Sequence, residues 1–316
     1  MSRVDEALRR AEAMPIPPGP GVAVIERPAP RGERLSLEDY PREELSPVDS
    51  TPEPRRPTRT GSRAETSTAL LADQTVSVRI GKAFQGRLAA IDAADPAAVE
   101  QYRRLAATLH HLQLEQGLRK LMVSSSVPCE GKTLTVVNLA MTLSESYGRR
   151  VLLIDADLRR PSIHHVFGIS NRFGLCDALR TEREDLAFAK VSPALWVLPA
   201  GSPGSNPMAT LTSHRMERFL DEVSGSFDWI LLDAPPAALM ADAGVLARLI
   251  RAVILVISAG STPYSTVERI VGELGREHIV GTVLNRVEGT ASAWSEYYRR
   301  NDSPATPNAS STGETR

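Results

Sequence analysis

The sequence has few cysteines, no long apolar run and no excess of either charge. Its two cysteines, Cys129 and Cys176, are too few for a disulfide framework or a cysteine-built metal site, and they fit a reducing compartment. No stretch of about 20 apolar residues is available to span a bilayer, and the N-terminus lacks the apolar core of a signal peptide. We therefore expect a cytoplasmic protein that meets a membrane only through a partner.

Charge is balanced, because 37 basic residues face 38 acidic ones. A net charge of −1 supplies no field that would attract nucleic acid, so we expect no nucleic-acid partner. Hydrophobic residues make up 42% of the 316 positions, which is enough for a sizeable core.

Prolines divide the chain into a tether and a folded part. Residues 15–57 hold eleven of the 23 prolines, and such a segment cannot bury enough apolar surface to offset its ordering entropy. We predict a short amphipathic helix at 1–14, a disordered linker at 15–75, one domain at 76–300 and a disordered tail at 301–316. The terminal helix is either a frayed end without a role or a docking peptide.

Within the predicted domain, apolar strands alternate with helical stretches. One helix is predicted from Asp95 to about Leu118 and another from Thr133 to Gly148. Continuous apolar runs between helices are typical of an α/β fold, a mostly parallel central sheet with helices on both faces. Ligands bind such sheets at the carboxyl ends of the strands. The predicted strands are KLMVSSS at 120–126, RRVLLIDAD at 149–157, LWVLP at 195–199, DWILLDA at 228–234, AVILVIS at 252–258 and IVGTVLN at 279–285.

The stretch SSSVPCEGKT, residues 124–133, ends the first of these strands and opens a helix. Strand, loop and helix in this order are the context that a phosphate-binding loop ending in Gly-Lys-Thr needs, because backbone N–H groups and the helix N-terminus then surround phosphate oxygens. Lys132 would neutralise the β- and γ-phosphates, and the Thr133 hydroxyl would bind Mg²⁺. We therefore predict a nucleotide site here.

Two further strand ends carry acidic residues that an apolar sheet alone does not need. Asp155 and Asp157 end the second strand, and alternation places both side chains on the same side. Asp233 ends the strand WILLD, after which Pro235 and Pro236 fix the exit of the chain. The alternative for the Asp-x-Asp pair is a solvated turn that caps the next helix.

These three motifs, in this order, resemble those of the bacterial tyrosine kinases of polysaccharide synthesis and export, which are similar to the partition and septum-placing ATPases. The resemblance runs from about residue 97 to 290. In it, LLIDADLRRP at 152–161 corresponds to the Walker A′ motif and ILLDAPP at 230–236 to Walker B. The implied fold is a single P-loop NTPase domain. Further matching stretches are GLCDAL at 174–179, LPAGSPGSNP at 198–207 and VLNRV at 283–287.

By this resemblance, the reaction is transfer of the γ-phosphoryl group of ATP to tyrosine, with ATP and Mg²⁺ as cofactors. Asp155 would accept the phenolic proton, Asp157 would orient the acceptor and Asp233 would hold the metal. The implied catalytic residues are Lys132, Asp155, Asp157 and Asp233, and the implied metal ligands are Thr133, Asp155 and Asp233. The implied nucleotide-binding residues are Pro128, Cys129, Glu130, Gly131, Lys132, Thr133, Leu134, Asn285 and Arg286.

Asn285 and Arg286 match the family position that borders the adenine, and a structural asparagine that ends a strand is the alternative. The family's oligomerising helix carries Glu-x-x-Arg-x-x-Arg. Glu100 and Arg103 match this pattern, whereas Ala106 replaces its last arginine. The resemblance thus implies a homo-oligomer with Glu100 and Arg103 at its interface.

Family members usually carry a tyrosine-rich tail that a neighbouring subunit phosphorylates. Here only Tyr297 and Tyr298 precede the tail, and they are either acceptors or packing residues of a last helix. The family also implies an activating partner, a membrane chain-length-determinant protein or polysaccharide co-polymerase. The N-terminal tether and helix could attach the chain to it.

The loop itself separates the two related groups. Partition-type ATPases carry a second lysine where this chain has Val127. Pro128, Glu130 and Gly131 follow the tyrosine-kinase form instead, and Cys129 replaces its first glycine. If that position has a positive φ, cysteine costs on the order of 1 kcal/mol. We expect weakened but retained binding and a packed, inert thiol, with an oxidation-sensitive thiol as the alternative.

Two other functions stay open at this point. A switch ATPase would regulate polysaccharide assembly by nucleotide-dependent association without phosphorylating tyrosine, and the sparse tyrosines and Cys129 favour it. A non-catalytic nucleotide-binding adaptor is disfavoured by the intact Lys132, Thr133 and acidic strand ends.

Overall fold

A mostly parallel β-sheet carries the fold of this chain, seen in a computed structural model. Its strands form where the sequence has continuous apolar runs, because strands covered on both faces need no polar alternation. The structure describes residues 22–26, 74–75, 78–88, 96–180, 188–202, 211, 214–238 and 241–287.

Nine strands form one sheet in these described residues. Their order across the sheet is β1-β9-β8-β3-β7-β4-β6-β5-β2, with the strands numbered along the chain as given below. The β1–β9 and β5–β6 pairs are antiparallel, whereas all other neighbours are parallel. The strands are β1 (Val22–Glu26), β2 (Gln74–Thr75), β3 (Lys120–Ser125), β4 (Val151–Asp155), β5 (Ala189–Ser192), β6 (Leu195–Leu198), β7 (Trp229–Asp233), β8 (Val253–Ser258) and β9 (Ile279–Asn285).

The central strands form the core of the domain. Every residue of β4, β7 and β8 is buried, including the terminal Asp155 and Asp233. Each large apolar side chain buried there contributes about 1.5–3 kcal/mol. The two carboxylates are therefore costly exceptions at one edge of an apolar layer, and this edge is where the sequence predicts the site.

The described helices pack on this sheet and supply its connections. The first predicted helix ends at Gln116 and the second at Glu145. Gly117 and Gly148, with φ of 66° and 59°, then reverse the chain. The helices are α1 (Pro96–Gln116), α2 (Lys132–Glu145), α3 (Ile163–Phe167), α4 (Leu175–Arg180), α5 (His214–Ser224), α6 (Ala241–Ile250) and α7 (Tyr264–Leu274).

All six predicted strands are confirmed, and so is the predicted α/β class. β5 was not predicted, because its four residues AKVS are only half-buried and too few to show a pattern. β1 and β2 are strands within the predicted disordered linker, at positions where the composition predicts none. The rest of that linker, the terminal helix and the C-terminal tail lie outside the described residues, so the domain limits stay predictions.

Among the helices that the structure describes, none combines the length and the apolar character that crossing a bilayer requires.

Candidate active site

The phosphate-binding loop turns from β3 into α2 as the sequence predicts. Gly131 has a φ of 100°, and a Cβ there would lie 2.1 Å from Asn285 Nδ2. Within the described part of the chain, the backbone N–H groups of Cys129, Glu130 and Gly131 donate to no protein acceptor. Together with the start of α2 they form a cradle of donors suited to phosphate oxygens.

Cys129 lies in the left-handed region, with a φ of 68°. For a residue with a Cβ this conformation costs roughly 1–2 kcal/mol. Arg286 Nη2 donates to the Cys129 carbonyl oxygen at 2.7 Å, which helps to hold the conformation. Cys129 is exposed, so the expectation of a packed cysteine is wrong, whereas its inertness stays a prediction.

Two residues at the end of β9 hold the loop from the side. Asn285 Nδ2 donates to the Glu130 carbonyl oxygen at 2.7 Å, and the neighbouring Arg286 leaves the strand with a φ of 59°. Pro128 and Leu134 are half-buried at the two ends of the loop. Asn285 and Arg286 thus contact the phosphate-binding loop itself, and their contact with an adenine stays a prediction.

Lys132 provides the ammonium group at the centre of the site. Its Nζ lies 2.9 Å from Asp157 Oδ2 and 3.2 Å from Asp233 Oδ1. Burial opposes the charged form of Lys132, but the carboxylates of Asp233 and Asp157 outweigh it and raise the pKa of the lysine. Lys132 is therefore charged and paired within the protein, and phosphates would compete with these carboxylates for it.

Asp233 joins the end of β7 to the loop. Its Oδ2 accepts a hydrogen bond from Thr133 Oγ1 at 2.6 Å. Burial raises the pKa of Asp233, and the Lys132 charge and the Thr133 hydroxyl only partly offset that rise. The structure thus brings together two of the three residues that the resemblance implies as metal ligands.

Asp155 is fully buried at the end of β4, directly opposite Asp233 in the strand register. Its Oδ2 accepts the N–H groups of Ser162 at 2.9 Å and Ile163 at 3.0 Å, whereas its Oδ1 accepts only the Asp157 N–H at 3.3 Å. Burial raises the pKa of Asp155 to about 7, and the negative charge of Asp233 adds to the effect. Asp155 therefore exchanges its proton near neutral pH.

The Asp-x-Asp pair is not a solvated turn, although part of that alternative is right. Asp155 does accept the N–H groups at the start of α3. Both carboxylates are buried, however, and Asp157 reaches Lys132 rather than solvent. The two aspartates therefore have different neighbours: Asp155 lies next to Asp233, and Asp157 lies next to Lys132.

The oxygen donors at this edge fit Mg²⁺. Thr133, Asp155 and Asp233 supply the hard hydroxyl and carboxylate oxygens that this ion prefers. In the described ranges, no three His, Cys, Asp or Glu side chains converge as a self-contained metal site. Mg²⁺ does not require one, because it is usually held by one or two carboxylates with waters and substrate phosphates.

Ser162 is a site residue that the sequence did not reveal. Its Oγ lies 3.2 Å from Thr133 Oγ1, while its N–H group binds Asp155. The available signal was Pro161-Ser162 ahead of a short helix, where serine is a common N-cap. In the structure the Ser162 side chain makes no capping bond and faces Thr133 instead.

The predicted interface residues belong to α1, which contributes no residue to this cluster. On α1, Glu100 pairs with Arg104 at 3.5 Å, and Arg103 is exposed on the same helix. Tyr297 and Tyr298 lie outside the described residues. Their phosphorylation and the oligomer interface therefore stay predictions.

Known proteins share the sequence around this site. A model of the AAA domain family matches residues 128–268. Tyrosine-protein kinase YwqD of Bacillus subtilis is 30% identical over 207 residues, which cover 64% of this chain and 87% of that protein. The chain belongs to the bacterial tyrosine-protein kinases.

Two further relatives of this kinase differ in length. Tyrosine-protein kinase wzc of Salmonella typhimurium is 28% identical over 217 residues, which cover 67% of this chain but only 30% of wzc. The solved kinase domain of the Escherichia coli tyrosine kinase ETK is 31% identical, with a TM-score of 0.59 over 64% of this chain and 80% of that domain. The family and the P-loop fold that the motifs imply are thus confirmed.

Replacing Gly131 with alanine should weaken ATP binding at least about tenfold. The new Cβ forces Asn285 off the Glu130 carbonyl oxygen and strains a φ of 100°. Titration of the purified kinase with a fluorescent ATP analogue measures the effect. Gly272→Ala is the matched control, since its Cβ meets no atom within 4 Å. Wild-type affinity in Gly131→Ala would contradict the assignment of the cradle.

Replacing Cys129 with glycine should raise the free energy of unfolding by up to about 1 kcal/mol. Relief of roughly 1–2 kcal/mol of strain exceeds the about 0.4–1 kcal/mol that glycine adds to the unfolded-state entropy. Urea denaturation compares this variant with Cys129→Ala, which removes the thiol but keeps the strained Cβ. A Cys129→Gly variant that is less stable than Cys129→Ala by about 0.4–1 kcal/mol would show that the left-handed conformation of Cys129 costs nothing, because only the unfolded-state entropy of glycine would then separate the two variants.

Replacing Asp155 with asparagine should flatten the pH dependence of stability. The folded kinase holds this proton up to about pH 7, whereas the unfolded chain releases it near pH 4. The wild-type free energy of unfolding therefore falls as pH rises through this window. At pH 8 without nucleotide or metal, Asp155→Asn should be more stable than wild type, by on the order of 4 kcal/mol. Urea denaturation from pH 5 to 8 measures it.

Asp221→Asn is the control for that experiment, because Asp221 is 67% exposed and pairs only with a surface lysine. Its stability should follow the wild-type pH profile. A wild-type slope in Asp155→Asn would refute the raised pKa.

Proposed function

We propose that this chain binds Mg²⁺ and ATP and transfers the γ-phosphoryl group to a protein tyrosine, in the control of polysaccharide synthesis and export. The observation that carries the proposal is the pairing of Lys132 with Asp157 and Asp233 beside the phosphate-binding loop, with Asp155 opposite Asp233 in the strand register. It occurs in a chain that belongs to the tyrosine-protein kinases.

The residues of this edge have separate tasks in nucleotide binding. The loop N–H groups and Lys132 bind the β- and γ-phosphates, Thr133 and Asp233 hold Mg²⁺, and Asn285 and Arg286 border the adenine. ATP supplies the phosphoryl group, and the metal neutralises its developing charge. Because Lys132 is already paired with two carboxylates, phosphate binding exchanges at least one of these pairs for a phosphate contact.

Asp155 is the residue that we assign as proton acceptor. The tyrosine phenol has a pKa of about 10, so a carboxylate has to take its proton as the phosphoryl group transfers. A base is most effective when its pKa lies near the working pH, and the Asp155 pKa of about 7 meets this condition. Two N–H groups fix Asp155 Oδ2, which leaves Oδ1 to receive the proton. Asp157 orients the acceptor tyrosine.

Membership of the family supports our assignment of the acceptor and of the partner. We assign Tyr297 and Tyr298 as acceptors and Glu100 and Arg103 as contacts between subunits. Most of wzc lies outside the region that matches this chain. For this chain, a separate membrane protein of the chain-length-determinant type would take the place of that additional region. It would activate the kinase and bring it to the inner face of the membrane.

Incubation of the full chain with labelled ATP and Mg²⁺ tests the proposed reaction. Wild type should label tyrosine, and Lys132→Met should label none, because the phosphates lose their central cation. Lys120→Met is the matched control, since Lys120 pairs with Asp221 on the surface. Replacing Tyr297 and Tyr298 with phenylalanine locates the acceptors.

The same experiment separates the alternatives. Free phosphate without labelled tyrosine would indicate a switch ATPase, and neither product would indicate an adaptor. Adding the cytoplasmic end of a candidate membrane partner excludes a false negative.

A further inference from the structure

Glu130 is a buried carboxylate inside a loop that binds phosphate. The residue is only 2% exposed. Its negative charge opposes that of the phosphates, and a buried carboxylate costs free energy unless its hydrogen bonds compensate. No step of the proposed reaction uses it. Its contribution therefore lies in the groups that it holds together.

The two oxygens of Glu130 bind different elements. Oε2 accepts the Val127 N–H at 2.8 Å, which closes the loop upon itself. Oε1 accepts the Ser258 N–H at 3.1 Å, at the end of β8, and also the Thr262 hydroxyl. One side chain thus ties the phosphate-binding loop to residues 258–263, the segment that leads from β8 into α7.

These bonds leave the phosphate cradle free. Val127 precedes the cradle, so the carboxylate takes none of the N–H groups that would face phosphate. The Glu130 carbonyl oxygen meanwhile accepts the Asn285 amide from β9 at 2.7 Å. Glu130 is therefore fixed on two sides, by β8 through its side chain and by β9 through its backbone.

We propose that Glu130 is a positioning residue that presets the phosphate-binding loop for ATP through Thr262, which makes residues 258–263 part of the nucleotide site. A loop that is not held in this way adopts the phosphate-binding conformation in only a fraction of the molecules. The apparent affinity for ATP is then reduced in proportion to that fraction. The proposal rests on the proposed function only in taking ATP as the ligand.

Direct ATP binding to the full chain tests the proposal with three variants. Glu130→Gln loses one of its two acceptor oxygens, and Thr262→Val loses the donor while keeping its shape. Each should raise the Kd for Mg²⁺-ATP roughly tenfold, as expected for one lost hydrogen bond to a charged group. Thr262→Ser keeps the hydroxyl and should retain wild-type affinity. In steady-state kinetics, KM for ATP should rise while kcat at saturating ATP stays within about twofold.

The double variant Glu130→Gln/Thr262→Val decides whether one contact is responsible. Its Kd should match that of Glu130→Gln within about twofold, because the contact is already broken. Two independent tenfold steps would overturn the proposal. So would a lower melting temperature without nucleotide combined with an unchanged Kd, which would leave Glu130 with a role in folding alone.

These outcomes are distinguishable from failure of the proposed reaction. The binding experiment needs no phosphorylated tyrosine. A chain that is not a tyrosine kinase would still show the affinity changes, but without labelled product.

Discussion

Three buried carboxylates lie with one ammonium group at the carboxyl edge of the sheet, and only two of them pair with it directly, so this imbalance of charge governs the site. Asp155, Asp157 and Asp233 carry three negative charges when ionised, and Lys132 carries one positive charge, which leaves −2. Water cannot solvate these groups, so the protein meets the cost by holding the Asp155 proton up to about pH 7. A divalent cation would balance the same net charge of −2. The burial and the neighbouring carboxylate charge that raise the Asp155 pKa thus also suit Mg²⁺.

The imbalance also links the metal to the nucleotide. Lys132 contacts both Asp157 and Asp233, and the Thr133 hydroxyl donates a hydrogen bond to Asp233. A cation beside Asp233 would take over the role of the ammonium group and free Lys132 for the phosphates. Without that cation, moving Lys132 toward phosphate would leave a buried carboxylate unpaired, which is strongly unfavourable. Binding of one ligand therefore lowers the cost of binding the other.

Sequence reasoning recovered the parts of this site that depend on local pattern. The strand-loop-helix context located Lys132 and Thr133, and the polar ends of apolar strands located Asp155, Asp157 and Asp233. Contacts between segments that are distant in sequence were not predicted. Ser258 and Thr262 reach Glu130 across more than 120 residues of sequence, and nothing in their neighbourhood marks them. Such contacts depend on which strands are neighbours in the sheet, and no short stretch of sequence determines the strand order.

That strand order explains why one loop meets two kinds of partner. β3 lies between β7 and β8, so the loop at its end has Asp233 on one side and residues 258–263 on the other. Lys132 contacts Asp233 at the end of β7, and Glu130 accepts the Ser258 N–H at the end of β8. Partition-type ATPases place a lysine where this chain has Val127, whose N–H group is bound here by Glu130. The kinase-type loop is therefore closed from within by a carboxylate at the place where the related loops carry a cation.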